Sequence, residues 1–522
     1  MLCAGMLCAA LPFAAAALPP AGPTAGPATA DSADRLPADR YRPGFHFTPA
    51  RNWINDPNGL VYYRGEYHLF FQHNPYGTRW GHMSWGHATS RDLVHWRERP
   101  VAIPETEVMA FSGSAVVDWR NTSRLGEDGE PPLVALYTGF DPASRRQAQY
   151  LAYSRDGGRH WIRHGDGPVL DIGSTEFRDP KVFWYAPGGH WAMAVVRATD
   201  NRVAFYRSPD LLHWKETGGF GPAGARAAAW ECPDLFEIPV QGRPGETRWV
   251  LAVSVNGNAP GGGSGVQYFV GRFDGARFVP EQDWGDAPVW IDHGADFYAA
   301  ATWNDIPARD GRRLMIAWAT NLRYAEAIPA EVQRGAMSLP RELTLARTPE
   351  GLRLRQAPAR ELRALRGERR EARGLALDEA ELDLSRWIAD GASTEVVLDI
   401  DAGDARQVVL SLAGGDGHRI LLGVNPPVDE VFVDRDRAGP HVHDAFAGRH
   451  VAPLALEDGR VRLHVFVDRS IVEVFADDGR RVLTDRVFPG GRLAWTASAT
   501  GGRATIRRLQ AWPMRPYRDA AP

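Results

Sequence analysis

Three carboxylic acids stand in similar settings, each beside or near a proline and an aromatic residue. They are Asp56 in Trp53-Ile54-Asn55-Asp56-Pro57-Asn58-Gly59, Asp179 in Phe177-Arg178-Asp179-Pro180, and Glu231 in Trp230-Glu231-Cys232-Pro233-Asp234. Carboxylates are usually solvated. Set among aromatic residues and turn formers, they are held rigidly in a partly dry site where their proton affinity can be tuned. Cleavage of a glycosidic bond needs that equipment: one carboxylate attacks, and one carboxylic acid protonates the leaving oxygen. The neighbours suggest roles. Asp56 lies between Asn55 and Asn58, whose amides could hold an ionised carboxylate, which suits a nucleophile. Glu231 is flanked by Trp230, Cys232 and Pro233, an apolar setting of the kind that suits a general acid/base. Asp179 follows Arg178, whose guanidinium is expected to keep it ionised. It is then better placed to bind hydroxyls or support an oxocarbenium-like charge than to give a proton. A gap of about 5–5.5 Å between the two reacting carboxyls would retain anomeric configuration, and about 6.5–9.5 Å would invert it.

The acids are 123 and 52 residues apart, too far for one helix or one sheet edge to unite them. A repeat supplies the means. Ser90-Arg91-Asp92-Leu93-Val94-His95-Trp96 recurs as Ser154-Arg155-Asp156-Gly157-Gly158-Arg159-His160-Trp161 and as Ser208-Pro209-Asp210-Leu211-Leu212-His213-Trp214, with a weaker copy at Phe273-Asp274-Gly275-Ala276-Arg277-Phe278. Each copy follows a short alternating apolar run. Strand, Asp turn, strand with a core aromatic, repeated every ~50–65 residues, reads as propeller blades with long loops. Four copies and one degenerate blade make five, and the innermost strands of a propeller bring distant residues to one channel. The next stretch, 357–372, is Arg/Glu/Leu-rich and helix-compatible. Alternating runs then return at 394–400, 407–412, 419–424, 461–467 and 471–475, separated by Gly/Asp turns, and read as a β-sandwich. The expected fold class is all-β: a five-bladed β-propeller over 41–350, a partly helical linker over 351–375 and a β-sandwich over 376–515.

Composition narrows the function. The 522 residues carry 60 basic and 64 acidic side chains and a net charge of −4, which provides no basic excess for a nucleic acid. All the basic residues except Lys181 and Lys215 are Arg, which reads as a codon-composition effect. The 18 Trp fit both sugar stacking and a β-rich core. Residues 1–30 are apolar and Ala-rich and resemble a secretory signal peptide with a small-residue site near Ala28-Thr29-Ala30, although no basic residue precedes Arg35. Of three cysteines, Cys3 and Cys8 lie in that segment, so a mature chain would keep Cys232 alone, read as a small buried residue. No later run has transmembrane length. Six histidines fall between His46 and His95, but no His-Glu-x-x-His or Cys-x-x-Cys occurs. No metal and no cofactor are expected, and the histidines are expected to hydrogen-bond inside the propeller or near the sugar.

The chain resembles glycoside hydrolase family 32, the β-fructofuranosidases. The segments that carry the resemblance are 46–59, 67–72, 80–87, 111–114, 177–182, 230–234, 296–299 and 338–342, and late in the chain Asp468-Arg469-Ser470-Ile471-Val472-Glu473-Val474-Phe475. The resemblance covers roughly 41–515 and implies a five-bladed propeller, a C-terminal sandwich and a retaining mechanism. It implies Asp56 as nucleophile, Asp179 as transition-state stabiliser and Glu231 as acid/base. Asn55, Gln72, Trp80, Phe111, Ser112 and Arg178 match positions that grip the fructosyl unit, and Trp318 is placed with them. The runs 118–123 and 265–271 look most like bacterial exo-levanases and exo-inulinases. One departure stands out: Leu322 replaces the second Trp of a Trp-x-x-Asn-Trp-x-Tyr pattern. The expected protein is a secreted or periplasmic exo-acting hydrolase, monomer or homodimer, releasing fructose from levan, inulin or sucrose, with no nucleic-acid or membrane partner. A sucrose-preferring invertase, a fructosyltransferase, a non-catalytic fructan-binding protein and, more distantly, an inverting propeller hydrolase are the alternatives.

Overall fold

In the computed structural model, residues 39–281, 287–389 and 391–518 are described, so the apolar segment 1–30 lies outside them. Five antiparallel sheets follow one another along the first two-thirds of the chain. Their innermost strands are Asn52–Tyr63, Met109–Val117, Phe177–Tyr185, Trp230–Pro239 and Tyr298–Thr302. The repeat seen in the sequence sits between the third and fourth strands of the first four blades. Asp92 Oδ1 accepts from the backbone N–H of His95 at 2.9 Å, and its Oδ2 faces His95 Nδ1 at 2.7 Å. Asp156 and Asp210 repeat this with His160 and His213. Asp274 caps its turn through Ala276 and Arg277. A short polar side chain that bonds its own backbone competes with strand pairing and fixes a turn, which is why Asp recurs there. The fifth blade lacks the Asp and turns through Thr348 and Gly351. Of the aromatics that end each copy, Trp96 and Phe278 are buried, while Trp161 and Trp214 are half-buried with their N–H bonded to backbone carbonyls.

Apolar side chains fill the spaces between adjacent blades, for example Phe70, Trp85 and Tyr137 between the first two and Phe236, Met315 and Leu343 between the last two. The ring is closed by Gln333–Arg334, which pairs parallel to Asn52 and Trp53 of the first blade. The propeller extends beyond the expected boundary. Gly351–Pro358 is the outer strand of the fifth blade, with Leu352 and Leu354 buried in alternation. The helix-compatible stretch 357–372 shortens to a single 3-10 segment, Arg360–Leu365, anchored by buried Leu362 and Leu365. Past it, Arg370–Leu377 pairs with Ala504–Pro513, so tertiary pairing overrides a local helical preference. The linker expected over 351–375 is therefore mostly strand.

The C-terminal part is two six-stranded sheets packed face to face. The strands Ser393–Asp401, Gln407–Gly414, Arg419–Asn425, Arg460–Asp468 and Ile471–Ala476 lie within two residues of the alternating runs read from the sequence. Inward residues of the two sheets, among them Leu398, Leu410, Leu422, Val465 and Trp495, form one core.

The sandwich is fixed to the propeller by buried charges. Asp468 accepts from the backbone N–H groups of Gly44, Phe45 and His46 at 2.6, 2.8 and 2.9 Å. His46 lies between Asp468 at 2.8 Å and Glu473 at 3.0 Å. Glu473 also accepts from the Leu339 N–H at 2.6 Å and from Arg341 at 2.7 Å, and Arg341 reaches Asp292 at 3.0 Å. Burial opposes a charge on His46, yet the two carboxylates outweigh it and hold its pKa above the usual value. Removing one member of such a network strands the others without solvent. Glu473→Ala is expected to destabilise the protein by about 3–5 kcal/mol, read as a lowered midpoint in urea unfolding.

Candidate active site

The same irregularity occurs in every blade, near the start of the innermost strand. Two residues there face a single residue of the second strand: Asn55-Asp56, Phe111-Ser112, Asp179-Pro180, Cys232-Pro233 and Ala299-Ala300. Such a bulge breaks the ladder and re-aims side chains. Asp179, Cys232 and Ala299 sit at φ of 64°, 44° and 51°, the left-handed region that non-glycine residues rarely occupy. Proline in the second position of two bulges fits, because no ladder bond is required there.

Corresponding positions of neighbouring blades touch. Asp56 and Ser112, second in their bulges, are joined by a 2.6 Å bond from Ser112 Oγ to Asp56 Oδ2. Arg178, Glu231 and Tyr298 are each the last paired residue before a bulge, and they form a chain. Arg178 Nη2 donates to Glu231 Oε1 at 3.0 Å, and the Tyr298 hydroxyl donates to Glu231 Oε2. Cys232 links the remaining acids. Its N–H donates to Asp179 Oδ2 at 2.9 Å, and its Sγ lies 3.5 Å from Asp56 Oδ2 and 3.6 Å from Asp179 Oδ2. The structure thus brings Asp56, Asp179 and Glu231 into one site.

Several details differ from the sequence reading. Asn55 does donate to Asp56, at 3.1 Å, but Asn58 turns its amide to Gln72 instead. Arg178 only partly counters the effect of burial on Asp179. Burial pushes that carboxyl up to about 7; Arg178 opposes the shift, and the charges of Glu231 and Asp56 reinforce it. The guanidinium comes only within 4.0 Å of Asp179 and makes its short bonds to Glu231 and Glu176. Glu231 is not in an apolar pocket, since a guanidinium and a phenol take its two oxygens. Asp56 also lies above the usual carboxylate range: burial raises it, Ser112 and Asn55 work against that, and Glu231 adds to it. Burial and the neighbouring carboxylates push the Cys232 thiol far up, so it stays protonated, and Tyr298 likewise remains a phenol that donates.

Trp80 is 47% exposed and edge-on to Phe111, which stacks on Phe140. Its backbone N–H is latched to Glu326 at 3.1 Å. Gln72 and Trp318, expected to touch sugar, are buried. Gln72 donates to the Ala110 carbonyl, and Trp318 packs edge-on against Trp53, whose indole N–H bonds Asn55 Oδ1 at 2.7 Å. Both therefore brace the residues that surround the acids. Leu322 is exposed, with its N–H on Ser264 Oγ. The histidines are partnered: His68 stacks on His87, and His73 bonds the Trp53 carbonyl. Below the acids, the Lys181–Asp234 ion pair at 2.8 Å and a bond from Lys181 to the Thr302 carbonyl leave a cavity of about 30 Å³, enough for a water molecule and too small for a sugar.

Residues 46–358 match the glycosyl hydrolases family 32 N-terminal domain, and residues 361–513 match the family 32 C-terminal domain. The chain belongs to glycosyl hydrolases family 32. It is a glycoside hydrolase. It is 42% identical over 495 residues to a levanase of Bacillus subtilis, covering 93% of this chain and 72% of that one. To an extracellular exo-inulinase of Aspergillus ficuum it is 37% identical over 505 residues, 89% of this chain and 93% of the relative. The crystal structure of an exo-inulinase from Aspergillus awamori superposes with a TM-score of 0.86 at 35% identity, covering 92% of this chain and 99% of that one.

The sequence reading missed Tyr298, the bridging role of Cys232 and the brace of Gln147 and Glu176 on Arg178. Aligning the blades on their bulges would have found Tyr298, because it occupies the position of Arg178 and Glu231. The Ser112 bond favours the ionised form of Asp56. Ser112→Ala is expected to move the acidic limb of the kcat/KM profile upward by about one to two pH units, from a bond to a charged group worth roughly 1.5–3 kcal/mol.

Proposed function

We propose that this hydrolase is an exo-acting, retaining β-fructosidase that removes terminal fructose from levan- or inulin-type fructans and from sucrose. The observation that carries the reading is the set of three linked carboxyls, beneath which the Lys181–Asp234 ion pair leaves no space for a sugar. A site with no passage for a sugar beneath it accepts a chain end, not a chain interior. The levanase and exo-inulinase names of the relatives support the fructosyl unit as the group bound.

In the proposed reaction, an ionised Asp56 oxygen attacks the anomeric carbon of the terminal fructosyl unit. The bond from that carbon to the leaving oxygen breaks as Glu231 gives that oxygen its proton. A water molecule then attacks the same carbon. Glu231 takes its proton, and the bond to Asp56 breaks, freeing fructose with its configuration retained. Asp179 faces the sugar hydroxyls and supports the positive charge of the transition state. Arg178 and Tyr298 hold Glu231 from two sides, so its proton is delivered from a fixed position. Export fits both the apolar first 30 residues and the extracellular inulinase relatives.

Reducing-sugar release from levan, inulin, sucrose and raffinose tests the reading. Fructose is expected as the product from the first time point, and Asp56→Asn and Glu231→Gln are each expected to lower kcat by at least ~10³-fold with the thermal melt unchanged. Near-normal turnover in either variant would sink the assignment. Longer fructosides accumulating from sucrose would show transfer in place of hydrolysis, and the opposite anomer in the first turnover would show inversion.

A further inference from the structure

All five innermost strands run in the same direction, away from the acids. The far ends of the second to fifth of them surround a second cavity of about 470 Å³, lined by Val117, Trp184, Glu237, Asp305 and Arg313 among others. The Lys181–Asp234 pair separates it from the catalytic pocket. So does Asn304, whose side-chain amide spans the Ala115 and Val182 carbonyls at 2.8 and 3.0 Å. The cavity shares no residue with the site of the three acids.

Its lining combines aromatic faces with unspent polar groups. Trp119 is 58% exposed yet fixed, with its indole N–H on Asp305 Oδ1 at 3.0 Å and its ring against Tyr63. Asp305 Oδ2 accepts from the Val117 N–H at 3.0 Å. Arg120 lies over the Trp184 ring at 4.6 Å, with no carboxylate partner among the described residues. The Trp184 N–H is buried and has no acceptor. An indole N–H without an acceptor is costly unless something fills the cavity and accepts from it. The aromatic faces suit the C–H faces of sugar rings, and the lining balances Arg120 and Arg313 with the carboxyls of Glu237 and Asp305. The size is that of pockets that enclose a small ligand.

We propose that this cavity is a second, non-catalytic glycan site that holds a segment of fructan chain on the face opposite the catalytic pocket. The fructan assignment rests on the function proposed above; the presence of a neutral saccharide site does not. Trp119 supplies the stacking face, and Arg120, Asp305 and the Trp184 N–H meet the hydroxyls. Held there, the polymer keeps its ends near the enzyme, which helps long substrates and does nothing for sucrose.

Affinity electrophoresis through gels containing inulin, levan or dextran tests the site, using Asp56→Asn protein so that the polymer is not consumed. Adding Trp119→Ala is expected to weaken the Kd for at least one fructan about tenfold, or ~1.4 kcal/mol. In the active enzyme, Trp119→Ala and Arg120→Ala are each expected to lower kcat/KM on that polymer several-fold and leave sucrose turnover unchanged. An unchanged Kd for both fructans overturns the proposal, as does equal retention on dextran. A loss of sucrose turnover in both variants would also overturn it, by showing a structural effect. Wild-type protein that hydrolyses neither sucrose nor fructan would refute the function proposed above, while the gel shifts would still decide whether the second site exists.

Discussion

Five strands that converge on one axis must all leave their ladders at the same depth if their side chains are to meet there. In this protein each does so by the same device, two residues against one. The site is consequently a set of equivalent positions, not five unrelated loops. Asp56 meets Ser112, and Arg178 meets Glu231, which meets Tyr298, because neighbouring blades present the same register to one another. The residues opposite the bulges add to this order. Gln72 of the first blade bonds the Ala110 carbonyl of the second, and Thr138 of the second accepts from the Asp179 N–H of the third. Side chains carried on strands braced in this way hold their geometry better than side chains on free loops.

The sandwich takes part in that bracing. A single turn after Arg460–Asp468 presents Asp468 and Glu473 to the propeller, where they hold the chain entry at 44–46 and the fifth blade through Leu339 and Arg341. A second anchor lies nearer the chemistry. Arg435 and the Arg486 N–H hold Asp296, and two residues further along the chain Tyr298 touches Glu231. A domain with no reacting group of its own therefore helps position one. Buried ion pairs contribute little net stability, but they tolerate few alternative arrangements, and that suits a junction on which alignment depends.

Much of this was legible in the sequence. The Asp turns marked four blades because an Asx turn leaves a short, fixed signature, and period-2 alternation located the sandwich strands closely. The three acids stood out through their proline and aromatic neighbours, which are the bulges seen from the chain. What was hidden depended on contacts between blades. Adjacency in sequence made Arg178 the apparent partner of Asp179, whereas across blades it belongs to Glu231. Tyr298 showed no local sign of its role. The 357–372 stretch looked helical because Arg, Glu and Leu favour helices locally, and no local rule foresees that 370–377 pairs with a strand more than a hundred residues away.

Arginine fills every basic position of this chain except Lys181 and the exposed Lys215. Lys181 is different. Its ammonium lies at the centre of the propeller, wedged between Asp234 and Thr302 on three close contacts, where five strands approach one another. A compact, tetrahedral cation on a thin stem fits that gap, and a planar fork of guanidinium nitrogens would have to push the inner strands apart. In a chain whose basic residues are otherwise arginine apart from Lys215, Lys181 matches the bore of the propeller: the width of the shaft, set by five strands, suits an ammonium.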